Sequence, residues 1–264
     1  FPGLNSSGYK SVGQFGIGFY AVFMIASEVR VETRRFDKSF DDAYVVKFPK
    51  GLCLRPIISN TRSNSSSYST TVRFSIDELK YRWNSKVEIR PGIQGVSPFE
   101  VPFSAVLSNL TAGLDVDVFY KEEEKNEEMI HSDFAKMEIG SNQMREWLKD
   151  ITYARYRGVN LYTEYIDSNY QRVTKLYSDG KCYGVAAINT LWQANASYFD
   201  VTTVGGLATF SHASNDAEFL GCILAEPNTA KRDGNVKKID NIEWAKEQYL
   251  SLIHISEPTR LQLI

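Results

Sequence analysis

The chain has little of what usually betrays a function. Cysteine is scarce: Cys53, Cys182 and Cys222 stand far apart, odd in number, with no C-x-x-C. His131, His212 and His254 sit at no metal-ligand spacing. Neither a structural zinc site nor a disulfide framework is expected, and a reducing, cytoplasmic setting is the default. Neither sign of charge dominates. Lys and Arg number 30 against 32 Asp and Glu, a net charge of −2, and the cations form no basic stripe along the sequence, so nucleic acid is not implied. No run approaches the ~18 apolar residues of a membrane span. The chain opens at Phe1 with no initiator Met and no signal peptide, although a truncated start would hide one. G-x-S-x-G is absent, His131 and His212 lack patterned partners, and no Ser/His/Asp hydrolase arrangement emerges. What remains is 264 residues with 43% hydrophobic content, enough for one large domain or two ordinary ones with real cores.

The informative segment lies near the start. Gly13, Gly16 and Gly18 fall just before an apolar run. Phe19, Val22, Phe23 and Ala26 follow at i, i+3, i+4 and i+7, which predicts a helix with one buried stripe. Glycines let a backbone approach a ligand closely. A helix start offers free N–H groups and the positive end of a dipole. Together they make a cradle for an anion, phosphate above all. The order G-x-x-G-x-G is neither the dinucleotide pattern G-x-G-x-x-G nor a P-loop, which would need Gly-Lys-Ser/Thr. On spacing alone, a glycine-rich turn packing a helix onto a sheet fits equally well.

The continuous stretch Gly13-Gln14-Phe15-Gly16-Ile17-Gly18-Phe19-Tyr20-Ala21-Val22-Phe23-Met24-Ile25-Ala26-Ser27-Glu28-Val29 resembles the lid-to-helix segment of the 90-kilodalton heat-shock chaperones, the bacterial HtpG type included. That family belongs to the GHKL ATPases, with gyrase B, MutL and the histidine kinases. The resemblance implies that Gly13, Gln14, Gly16, Ile17, Gly18 and Phe19 cap the terminal phosphates of ATP. It also matches Thr70, in Ser69-Thr70-Thr71-Val72, to a family threonine whose hydroxyl helps to hold adenine through an aspartate and water. Ser69 stands where the family has glycine, and an ordinary strand threonine is the alternative for Thr70. The family's water-activating glutamate, its Mg²⁺-holding asparagine and its adenine-binding aspartate all precede the lid, ahead of Phe1. The resemblance therefore implies a fragment that is inactive by itself, from a parent that hydrolyses ATP with Mg²⁺. A middle-domain arginine that reaches the γ-phosphate is best matched by Arg232, in Lys231-Arg232-Asp233-Gly234; an exposed surface loop is the competing account.

The rest of the chain reads as α+β. Expected strands are Val29 to Thr33, Tyr44 to Phe48 in a hairpin with it, and Thr71 to Ile76 with Val72, Phe74 and Ile76 on one face. Asn60 to Ser69 reads as a loop. Phe103, Val106, Leu107 and Leu110 form a helical stripe with Pro102 in the first turn, and Leu114 to Tyr120 alternates as a strand. The resemblance implies that residues 1–120 are the C-terminal part of a GHKL ATP-binding domain. The charged run Lys121 to Glu128 marks a linker at 121–130, unless it is a solvated helix end. Residues 131–250 read as a middle-domain-like α+β region. There Ser141 caps a helix carrying Met144, Trp147, Leu148 and Ile151. Strands are expected at Leu161 to Ile166, Cys182 to Ile188, Val201 to Val204 and Phe219 to Leu224, and Asp240 with Glu243 forms a capping box. Ser251 to Arg260 resembles a translated sequencing adapter, so 251–264 is set aside as a non-native tail.

The resemblance implies an ATP-dependent chaperone whose lid and clamp close on client proteins, homodimeric when intact, with no nucleic acid or membrane partner. Two rivals stand beside it: another GHKL ATPase, DNA-related or a kinase, and a non-enzymatic interaction module with a degenerate ATP site, towards which Ser69 points.

Overall fold

The computed structural model describes residues 18–35, 37–63, 69–76, 86–90, 97–122, 126–131, 133–158, 160–178, 180–190, 199–209, 219–225, 244 and 246–250. Their packing divides the chain into two units, Phe1–Asn84 and Ser85–Ile264. Both helices and mostly antiparallel sheets are present, an α+β fold as expected. Among the described residues no helix is long and apolar enough to cross a membrane.

In the first unit a 3₁₀ turn, Gly18–Ala21, runs into a single α-helical turn, α1 (Val22–Ile25). The chain extends at once into β1 (Ala26–Thr33). Then come β2 (Ala43–Leu52), β3 (Ile57–Thr61) and β4 (Thr70–Ile76), in an antiparallel sheet of order β3-β2-β1-β4. The expected hairpin is there, with Thr33 opposite Tyr44 and Val29 opposite Phe48. The helix is shorter than its apolar spacing predicts. Ala26, the fourth stripe position, is already strand, and no residue of α1 is buried. The β-branched and alternating run that follows wins the contested residue for the sheet. The loop expected from Asn60 starts later, between β3 and β4, because β3 takes Asn60 and Thr61.

The second unit holds two small hairpins, β5 (Lys86–Ile89) with β6 (Phe99–Pro102) and β7 (Val118–Tyr120) with β8 (Glu128–His131). Between them lies α2 (Phe103–Leu110), with Pro102 as its N-cap rather than inside its first turn. Its deepest residues are Ala105 and Ser108, not the apolar stripe, whose members are half-buried. Small side chains let this helix sit close to its neighbours, and the Ser108 hydroxyl donates to the Ile130 carbonyl at 2.9 Å. The strand expected from Leu114 shrinks to Val118–Tyr120. The charged run lies in the β7–β8 connection, inside the second unit.

Helix α3 (Asn142–Ile151) begins as expected: the Ser141 hydroxyl accepts from the Met144 N–H at 3.2 Å. Met144, Trp147, Leu148 and Ile151 are all buried. Residues 161–169 are helix α4 (Leu161–Asn169), not a strand. Aromatic and β-branched residues give this stretch strand-like composition, but Tyr162, Tyr165 and Ile166 are buried at i, i+3 and i+4. Packing follows that helical period. Both helices share a core with a five-stranded sheet of order β12-β11-β13-β10-β9. Its strands are β9 (Thr174–Ser178), β10 (Lys181–Ile188), β11 (Asp200–Val204), β12 (Leu207–Ala208) and β13 (Phe219–Ala225). β9 has no counterpart among the expected strands; the Gly180 turn joins it to β10, which covers the strand expected at Cys182 to Ile188, and Gly205-Gly206 turns β11 into β12. Gly221 has φ +140°, and a β-carbon there would lie 2.0 Å from the Val185 carbonyl oxygen. No side chain fits where β10 and β13 pass. The capping box at Asp240 and Glu243 and the segment 251–264 lie outside the described residues.

Candidate functional site

The candidate site lies in the first unit, where Gly18–Ile25 meets the sheet. Phe19 and Phe23 hold this short helix in place. Their rings lie 5.8 and 5.1 Å from that of Phe48 and 5.4 Å from each other. Tyr20 adds a tilted contact to Phe23 at 6.4 Å. Near the end of β2, Gly51 takes a left-handed φ of +55°, and a β-carbon there would lie 3.7 Å from the Phe23 ring. The helix is therefore fixed by ring packing on one strand. Phe19 remains 39% exposed and Val22 and Phe23 are half-buried, so the expected buried stripe is only half realised.

Register then places the other candidate. Thr70 opens β4 and lies opposite Thr33, while Phe74 lies opposite Val29. Side chains alternate between faces, so Val29, Val31 and Thr33 share a face with Phe48, Val46 and Tyr44 on β2 and with Phe74, Val72 and Thr70 on β4. This is the face on which Phe19 and Phe23 pack. Thr70 and the helix thus belong to one side of the sheet. Phe19 contacts Phe48 at the level of Val29, four residues from Thr33. At about 3.3 Å per residue, the two candidate contacts are separated by roughly 13 Å along the strand. Val72 and Phe74 between them are 45% and 44% exposed, so this apolar surface is open rather than sealed.

The hydroxyls of Thr70 and Thr33 lie 2.8 Å apart, and both side chains are at the surface end of the pair. The Ser69 carbonyl, beside Thr70, accepts from the Arg34 N–H at 2.7 Å. This bond fixes the entry into β4 directly before Thr70. Past the end of β1, Arg35 makes paired bonds of 2.9 and 2.6 Å to the Asp37 carboxylate, which hold its pKa below the usual value. Gly13, Gln14, Gly16, Ile17 and Arg232 lie outside the described residues. Gly18 and Phe19 are the first two residues of the 3₁₀ turn, whose leading N–H groups have no acceptor within the helix. The sequence signalled Gly18, Phe19 and Thr70 individually. That Tyr44, Phe48 and Phe74 line the same face depends on strand register, which their separation along the chain conceals.

No family model matches the chain. Over 135 residues, 51% of this chain and 20% of the relative, the sequence is 25% identical to the chaperone protein HtpG of Wolinella succinogenes. Over 37 residues, 14% of this chain and 6% of the relative, it is 54% identical to the chaperone protein HtpG of Anaplasma phagocytophilum. The matched part thus spans a fifth or less of the length of these relatives.

Proposed function

We propose that this chain is part of an ATP-dependent chaperone of the heat-shock-90 type. The likeness to two HtpG chaperones carries the reading, and the geometry of the first unit supports it. An extended nucleotide needs contacts at two separated points on one surface, its base at one and its phosphates at the other. The helix start at Gly18 and the Thr70 hydroxyl share a sheet face and are well apart along it. In this reading Gly13, Gln14, Gly16, Ile17, Gly18 and Phe19 grip the phosphates through backbone N–H groups. Thr70 serves the adenine end. ATP with Mg²⁺ supplies the phosphoryl group whose hydrolysis resets the clamp.

The residues present fit part of that task. A glycine opens the helix, so backbone can approach without a side chain in the way, and the Thr70 hydroxyl is at the surface. The chain's own contribution is to hold and orient: the Phe19–Phe23–Phe48 cluster fixes the angle at which the helix start meets the ligand. The general-base glutamate, the metal-binding asparagine and the adenine-binding aspartate belong, in this reading, to upstream sequence. Arg232 is proposed as the arginine from the following domain that steadies γ-phosphate charge. Clients are partly folded proteins, the intact protein is a cytoplasmic homodimer, and the charged linker between its domains falls at 121–130. Light scattering from an unfolding test protein checks this reading. The intact protein should suppress aggregation differently with and without ATP. Equal suppression in both states would favour the interaction module with a degenerate site.

A further inference from the structure

The face of the first sheet opposite the helix carries an arrangement invisible in the linear sequence. Arg30 at the middle of β1 lies directly opposite Lys47 on β2 and directly opposite Arg73 on β4. Paired positions point the same way, so three cations form one row across three strands. At about 4.8 Å between strands the row spans roughly 10 Å. Lys47 and Arg73 are exposed. Among the described residues neither has a carboxylate within 4.0 Å, and Arg30 reaches only Glu32 on its own strand at 3.5 Å. The Arg30 Nε is buried without a hydrogen-bond acceptor among those residues.

Like charges directly opposed across strands are destabilising. A row of three sharing one carboxylate is an arrangement that an anionic partner would relieve. We propose that Lys47, Arg30 and Arg73 form a docking strip for an acidic peptide segment of a partner protein, lying across the strands. Two features fix the class of partner. Alternate residues of an extended peptide lie about 6.7 Å apart on one side, so two carboxylates two residues apart fall within the row. Glu28 and Glu32 lie on the same face, one on each side of Arg30. They bound the strip along the strand direction and limit the cationic surface to the width of one extended segment. Thr71 and Ser75, the same-face neighbours of Arg73 on β4, add hydroxyl donors at its edge. This surface is independent of the nucleotide reading, which concerns the other face.

The test is fluorescence anisotropy of a labelled Glu-Ser-Glu-Ser-Glu peptide with the 264-residue chain at low salt. Lys47→Gln with Arg73→Gln should weaken binding at least tenfold. Raising the salt to about 0.5 M, where screening is short-ranged, should do the same. The reversed variant, Lys47→Glu with Arg73→Glu, should instead bind the matching Lys-Ser-Lys-Ser-Lys peptide, a gain that a merely unfolded protein would not show with specificity for that charge. Equal binding of the acidic peptide by the native chain and the Gln variant would overturn the proposal. So would no binding at all, or tighter binding of a single-stranded oligonucleotide.

Discussion

Thr33 and Thr70 face each other across β1 and β4 with their hydroxyls 2.8 Å apart. The contact is at the surface, so each hydroxyl can exchange its partner for water or a ligand. Thr70→Val should therefore leave the melting temperature of the chain nearly unchanged. In the intact protein it should weaken ATP binding about 2- to 10-fold, the worth of one hydrogen bond of ~0.5–1.5 kcal/mol. Isothermal titration checks this, with Thr33→Val as the control that keeps the candidate ligand contact.

Phe23 is the keystone of the ring cluster, touching Phe19, Tyr20 and Phe48. Phe23→Ala should undock the short helix from β2 and destabilise the first unit by about 2 kcal/mol, less than a fully buried phenylalanine because the site is half-exposed. Urea unfolding followed by tyrosine and tryptophan fluorescence and by far-UV circular dichroism reads the loss.

His131 gives the second unit a pH dependence. It is buried, its Nε2 donates to the Leu114 carbonyl at 3.0 Å, and its Nδ1 has no partner among the described residues. Burial lowers its pKa and outweighs the Leu114 bond and the Asp133 and Asp117 charges, which raise it. With the folded pKa below the ordinary 6.5, the unfolded chain binds the proton first as pH falls. The stability owed to neutral His131 is complete above pH 6.5 and declines as pH drops below it. The urea midpoint should therefore fall between pH 7.5 and pH 5.5, and fall less in His131→Asn. An equal fall in both proteins would remove His131 as the cause.

Helix α3 shows what can be read from residues alone. Its cap is local, Ser141 to Met144, and its buried side repeats every three to four residues. Ser141→Ala should cost about 1 kcal/mol in urea unfolding. Where the sequence misled, distant contacts decided. Residues 161–169 pack by Tyr162, Tyr165 and Ile166 into a core shared with the sheet, overriding a strand-like composition. Ala26 left its helical stripe because β1 recruited it opposite Ile76. The same limit applies to function. Phe19 and the threonine at 70 stand out along the chain, but their common face, and the cation row behind it, exist only through the register of β1 with β2 and β4. Register joins residues tens of positions apart, and no local pattern encodes it.

The central claim is that backbone around Gly16 and Gly18 grips a triphosphate. Titration of ATP into the intact protein and its Gly16→Val variant tests it most directly. Valine should block the close backbone approach and weaken binding at least tenfold, with the fold unchanged by circular dichroism. Equal affinity in the two proteins would contradict the account.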